Sequence, residues 1–123
     1  MGDGAESGTG NGDARRLDAE AIGAGRLGRR ATLVQFSTAF CRPCHATRRV
    51  LAEVADMVEG VAHVEIDAES RLDLVRELGI VRTPTVLVLD ADGTVVRRAS
   101  GQPRRADVIA ALGAAVGDRT SGR

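Results

Sequence analysis

At 123 residues the chain has room for one hydrophobic core, since single domains usually take about 100–150 residues. Hydrophobic residues make up 43% of it and charged residues 28%, which excludes global disorder. Seventeen basic residues, all arginine, balance seventeen acidic ones, and Phe36 and Phe40 stand without any Trp or Tyr. No net field therefore draws the chain to nucleic acid, and little is available to stack on bases.

In chain order, residues 1–12 are rich in glycine with almost nothing to bury, and read as a disordered N-terminal tail. The N-terminus carries Asp3 and Glu6 where a secretory signal would be basic and then apolar. Apolar runs such as Thr85 to Leu89 fall far short of the roughly 18 residues of a membrane span. A cytoplasmic monomer with no membrane span and no nucleic-acid partner is expected. Residues 13–30 are expected to hold a short helix over Asp13 to Ile22, with Leu17, Ala21 and Ile22 on one side, and then a Gly-rich linker.

The domain proper is expected over residues 31–116. Ala31 to Ser37 (ATLVQFS) reads as a buried strand. From Arg42 onward Val50, Leu51, Val54, Ala55 and Val58 recur at helical spacing until Gly60. Val61 to Asp67 is a second strand, and Ser70 is placed to cap a helix that runs through Leu78 to Gly79. After Thr83 and Pro84, a strand over Val86 to Leu89 turns at Asp90 to Gly93 and returns over Thr94 to Ser100. Pro103 suits the first turn of a last helix with Val108, Ile109, Leu112, Ala115 and Val116 on its apolar face, and residues 117–123 read as a frayed end. The order is β-α-β-α-β-β-α.

Cys41 and Cys44 are the chain's two cysteines. A disulfide across so short a loop constrains the unfolded chain little, so the pair makes better chemical than structural sense. Cys41 falls at a helix N-terminus, where unpaired amides and the helix dipole favour an anionic sulfur. It should be the exposed nucleophile. Cys44, one turn further in on the same side, can resolve a mixed disulfide formed at Cys41. Pro43 is tolerated because first-turn amides have no helical partner to lose.

Through Phe36, Phe40, the Cys41-Arg42-Pro43-Cys44 motif and Thr83-Pro84 beyond the second helix, the sequence resembles the thioredoxin family over roughly Thr32 to Val116. The resemblance implies an α/β thioredoxin-like fold, a mixed central sheet with helices on both faces. It also implies a cis Pro84 against the cysteine pair, with Gly101 beside the active site. The implied activity is thiol-disulfide oxidoreduction on disulfide-containing protein substrates, with no cofactor or metal and a thioredoxin-reductase-type electron donor. Phe40, Arg42, Pro43, Thr83, Pro84 and Gly101 would then meet the substrate. Relative to the family pattern, Phe40 stands in place of tryptophan and Arg42 in place of glycine. Gln35 occupies the position of a buried acid and His63 that of a nearby lysine, so these two are expected to tune the cysteines.

Three other readings compete. Cys41 to His45 spells C-x-x-C-H, a c-type haem attachment motif, but export, a second axial ligand and an apolar pocket are not indicated. Cys41, Cys44, His45 and His63 could nominally hold zinc, yet the adjacent Cys44 and His45 project in different directions from a helix. The third reading is a thioredoxin-like interaction module without redox turnover; the intact cysteine pair followed by Pro84 counts against it. Arginine pairs such as Arg48 and Arg49 are expected to be solvated.

Overall fold

The structure is a computed structural model that describes residues 15–121. Its elements are β1 (Ala31–Ser37), α1 (Arg42–Met57), β2 (Val61–Asp67), a 3-10 turn (Ala68–Ser70), α2 (Leu72–Leu78), β3 (Thr85–Asp90), β4 (Val95–Ser100) and α3 (Arg105–Ser121). The sheet order is β2-β1-β3-β4. β1 and β2 run parallel, while β3 is antiparallel to both β1 and β4.

All seven residues of β1 are buried, the signature of a central strand covered on both faces. Its side chains alternate. Ala31 and Leu33 join Val86 and Val88 of β3 beneath Leu51 and Val54 of α1 and Val108, Leu112 and Ala115 of α3. Val34 and Phe36 join Leu87 and Leu89 on the opposite face, covered by Leu74 and Leu78 of α2. Each face of the pleat thus buries its own apolar row, and helices lie on both sides.

The N-terminal segment departs from the sequence expectation. Arg16 bridges Thr94, and turns follow over residues 19–23 in place of the expected helix. The Leu17 amide donates to the Gly93 carbonyl at 2.8 Å and the Val95 amide to the Arg15 carbonyl at 2.8 Å. Leu17 and Ile22 are buried in the α2-side core, so this segment is part of the domain and no linker. A ten-residue helix is marginal on its own propensity, and pairing with the β3-β4 turn satisfies the same backbone while burying two large side chains. A Cβ at Gly93 would lie 2.4 Å from the Leu17 carbonyl oxygen, so the close approach requires glycine. The expected tail at residues 1–12, with Asp13 and Ala14, lies outside the described residues.

Three boundaries also shift. Ser70 donates its hydroxyl to Asp67 Oδ2 at 2.8 Å inside the 3-10 turn, and the N-cap of α2 is Arg71, with no side-chain cap. Ser70 therefore lies one residue before the cap position, its hydroxyl tied to the 3-10 turn. Pro103 precedes α3, whose first amides bond to the Arg104 carbonyl. The backbone of α3 continues to Ser121, past Gly117 where fraying was expected.

The topology gathers one end of the sheet. Ser37 of β1 registers with Asp67 of β2, Phe36 with Thr85 of β3, and Thr85 with Ser100 of β4. The loops leaving these positions, with Cys41, Thr83-Pro84 and Gly101, therefore meet at a single edge.

Candidate active site

Cys41 is the N-cap residue of α1, in extended conformation at φ −112° and ψ 104°. Its Sγ accepts the Cys44 backbone N–H at 3.2 Å, as an N-cap oxygen would. The Thr83 hydroxyl donates to the same sulfur from 4.0 Å and lies 3.2 Å from the Thr38 hydroxyl. No acidic residue occupies the first turn of α1. The sulfur is partly exposed, so donors and the helix terminus surround a position where negative charge would be stabilised.

Cys44 is 1% exposed and joined to Cys41 in a disulfide with a Cα–Cα distance of 5.2 Å. Behind it lies Gln35, fully buried on the α1 side of β1. Gln35 Nε2 donates to the Cys44 carbonyl at 2.9 Å and to Ser37 Oγ at 2.9 Å. Because a carbonyl only accepts, this orientation of the amide is fixed, and Gln35 Oε1 must face the other way. It meets His63 Nε2 at 3.3 Å, so His63 donates from Nε2 and carries its free basic nitrogen at Nδ1. The position behind the Cys44 sulfur is neutral.

Beyond His63 the polar groups reach solvent. Arg48 of α1 grips Glu65 of β2 with Nε at 2.6 Å and Nη2 at 2.8 Å, and donates from Nη1 to His45 Nδ1 at 3.1 Å. The Arg48 hydrogen bonds hold the Glu65 carboxyl below its ordinary value, with help from the Ser37 hydroxyl and against partial burial. Burial pushes His63 below its ordinary value, with Glu65 opposing and Arg48 assisting that shift. Arg48 is thus no free solvated cation; it closes a bidentate bridge between helix and sheet. Among the described residues, no three His, Cys, Asp or Glu side chains come together as a metal site.

The Thr83-Pro84 peptide is cis, as the resemblance implies. The Gly101 amide donates to the Pro84 carbonyl at 2.8 Å, and Thr85 Oγ1 donates to the Arg82 carbonyl at 2.6 Å, which ties the β4 exit and the preceding loop to the start of β3.

The family model for the thioredoxin-like domain matches residues 17–116. The chain belongs to the thioredoxin-like family. The match starts at Leu17, where the described structure likewise places the first core side chain of the domain. Among solved structures, a mutant thioredoxin from Halobacterium salinarum superposes with a TM-score of 0.65 at 18% identity, covering 72% of this chain and 76% of that one. Chloroplastic thioredoxin z gives 0.61 at 27% identity, covering 69% and 77%. The short form of thioredoxin f from spinach chloroplast gives 0.62 at 25% identity, covering 72% and 78%. No curated protein matches the chain.

Within this thioredoxin-like site, the sequence-predicted residues fall into two groups. Cys41, Cys44, Gln35, His63 and Thr83 are linked by the bonds described above, with Pro84 and Gly101 at the adjoining loop ends. Phe40, Arg42 and Pro43 are exposed around the sulfur; Phe40 is fully so, at 100%, which makes it rim and not core. Sequence reasoning missed Thr38, Ser37, Arg48, Glu65 and Arg82. Glu65 stands two residues beyond His63 on the same strand face, a signal the period-two pattern did carry. Nothing local marks the others.

Proposed function

We propose that this thioredoxin-like protein is a thiol-disulfide oxidoreductase acting on disulfide-bonded protein substrates. The observation that carries the reading is the unequal placement of a joined cysteine pair, with Cys41 partly exposed at a helix N-cap under two donors and Cys44 buried behind it. In the reducing direction, a dithiol donor first opens the Cys41–Cys44 disulfide by taking its own sulfurs to a disulfide. The Cys41 thiolate then attacks one sulfur of the substrate disulfide, that S–S bond breaks, and the other substrate sulfur leaves as a thiolate. The Cys44 thiolate attacks Cys41 Sγ, re-forms the internal disulfide and releases the second substrate thiolate. Two electrons pass to the substrate, and its two thiolates take up the protons the cysteines gave up.

The remaining residues have roles in this reading. The Cys44 N–H and the Thr83 hydroxyl stabilise the attacking thiolate, and Phe40, Arg42, Pro43, Pro84 and Gly101 form the rim that receives the substrate. Gln35 and His63 tune Cys44 through its carbonyl and the neutral pocket behind it. Thioredoxin f2 has been solved in complex with ferredoxin:thioredoxin reductase, which supports an electron donor of the reductase type. No helix among the described residues is long and apolar enough to cross a membrane, and we place the chain in the cytoplasm as a monomer. The test is reduction of a disulfide-bonded protein by the parent and by Cys41→Ser with dithiothreitol as the electron source. Turnover by the parent and none by the variant is expected; equal rates would leave an interaction module without redox turnover.

A further inference from the structure

The edge that carries the disulfide is asymmetric in charge. On the β2 side the acids are mostly engaged within the chain: Glu65 by Arg48, Asp67 by the Glu69 amide at 3.0 Å and the Ser70 hydroxyl, and Asp73 by Arg71. Asp67 and Glu69 are exposed there without an ion pair among the described residues, Asp67 with its carboxylate held by the two hydrogen bonds just named. The β3-β4 side differs. The segments that build it and the start of α1, residues 21–52, 78–89 and 93–106, contain no Asp or Glu at all.

Those segments present two arginines at the site. Arg42 follows Cys41 directly and is exposed, and Arg82 is exposed one residue before Thr83, whose hydroxyl points at the Cys41 sulfur. The Arg82 guanidinium lies over Gly101, 3.8 Å from where a Cβ on that residue would stand. Neither arginine has an ion pair among the described residues. Next to each in the chain or one residue away lies a large apolar side chain in water, Phe40 at 100% and Val81 at 87% exposure. The unpaired cations beside the sulfur call for anions on a partner, and the apolar side chain next to each offers it surface to cover.

We propose that this site selects protein disulfides whose cysteine is flanked by acidic side chains beside an apolar one. The proposal rests on the exchange reading above and adds to it the chemistry of the substrate. Acidic side chains would pair with Arg42 and Arg82 on either side of the reacting sulfur while the apolar neighbour covers Phe40 or Val81. Complementary charge acts mainly on encounter, so the preference should appear in kcat/KM and weaken with salt.

The experiment uses three short disulfide-bonded peptides with one sequence, in which the residues flanking cysteine are Glu, Gln or Lys. Their reduction by the protein is followed with dithiothreitol as electron source, and each rate is divided by that for dithiothreitol alone, which removes the intrinsic effect of flanking charge on the disulfide. The Glu peptide should exceed the Lys peptide in kcat/KM by about 10-fold at low salt, and the ratio should fall toward unity at about 0.5 M salt. Arg82→Glu should reverse the order, and Arg82→Ser should shrink the ratio; both are surface changes that leave the fold intact. Equal values for the Glu and Lys peptides, or an order unmoved by Arg82→Glu, would overturn charge selection while leaving the exchange reading standing. Failure to reduce any of the three would overturn both.

Discussion

Cys41 and Cys44 are three positions apart and chemically identical in sequence, yet their surroundings are opposite. Cys41 meets solvent, the open helix terminus and two donors that aim at its sulfur. Cys44 is sealed, and its contacts are made by its backbone, whose carbonyl is held by a buried neutral amide. A helix start is what separates them: the first residue collects the unpaired N–H groups, and the one a turn later faces the core. In the proposed exchange, that difference in position is what gives attack and resolution to different sulfurs.

The largest test of that asymmetry is to remove each sulfur in turn. Cys44→Ser should accumulate mixed disulfides with substrate proteins, and Cys41→Ser should accumulate almost none, as read on non-reducing gels. Equal trapping by both would erase the distinction. The next test removes the support behind Cys44. Gln35→Leu removes the donor that the amide adds to the Cys44 carbonyl and the Ser37 hydroxyl and leaves half-buried His63 without its acceptor, and a buried polar group left unpaired costs about 1–3 kcal/mol. Urea unfolding of the oxidised protein should show that loss, and an unchanged midpoint would mean that the amide contributes nothing.

Smaller effects sharpen the electrostatic side. Gln35→Asp places an acid where the pocket is now neutral, and an anion there opposes the thiolates of the reduced state. The couple should become more reducing by on the order of 30 mV, a tenfold change in equilibrium against glutathione. Acid should weaken the fold in two steps. The folded His63 has a pKa below the ordinary 6.5, so the unfolded chain takes up a proton first, and stability falls as pH drops through 6.5 toward the folded value. His63→Gln should remove that step. The folded Glu65 lies below the ordinary 4.5, so its contribution is complete above that value and is lost as pH falls through the folded pKa. Smallest of all, Arg42→Gly should make the couple only slightly more reducing, because an exposed charge beside Cys41 is worth about 0–1 kcal/mol. A shift larger than that from Gln35→Asp would reverse this ranking.

Much of this arrangement could be read from sequence because it follows from local rules. The bounds of β1 come from an apolar, β-branched run, the end of α2 from Gly79, and the placement of Cys41 from a periodic helix beginning at the next residue. The cysteine spacing and Thr83-Pro84 mark the candidate site by local pattern alone. Period and turn chemistry act over a few residues, and so they survive in one dimension.

What the tertiary structure alone decided is which residues meet across long separations. The sequence offers Asp13 to Ile22 as a helix, but the β3-β4 turn claims its backbone and the core claims Leu17 and Ile22. Ser70 looks like a cap, but the 3-10 turn over Ala68–Ser70 moves the start of α2 one residue past it. Arg48 is exposed as expected, but only the fold brings Glu65 to it from 17 positions away, and Gln35 is an ordinary strand residue until its amide faces Cys44 and His63. The loop geometry alone puts Phe40 fully in water. Local propensities are worth tenths of a kcal/mol per residue, whereas burying a large side chain or satisfying a buried polar group is worth about one to three, so where the two compete the distant contact decides.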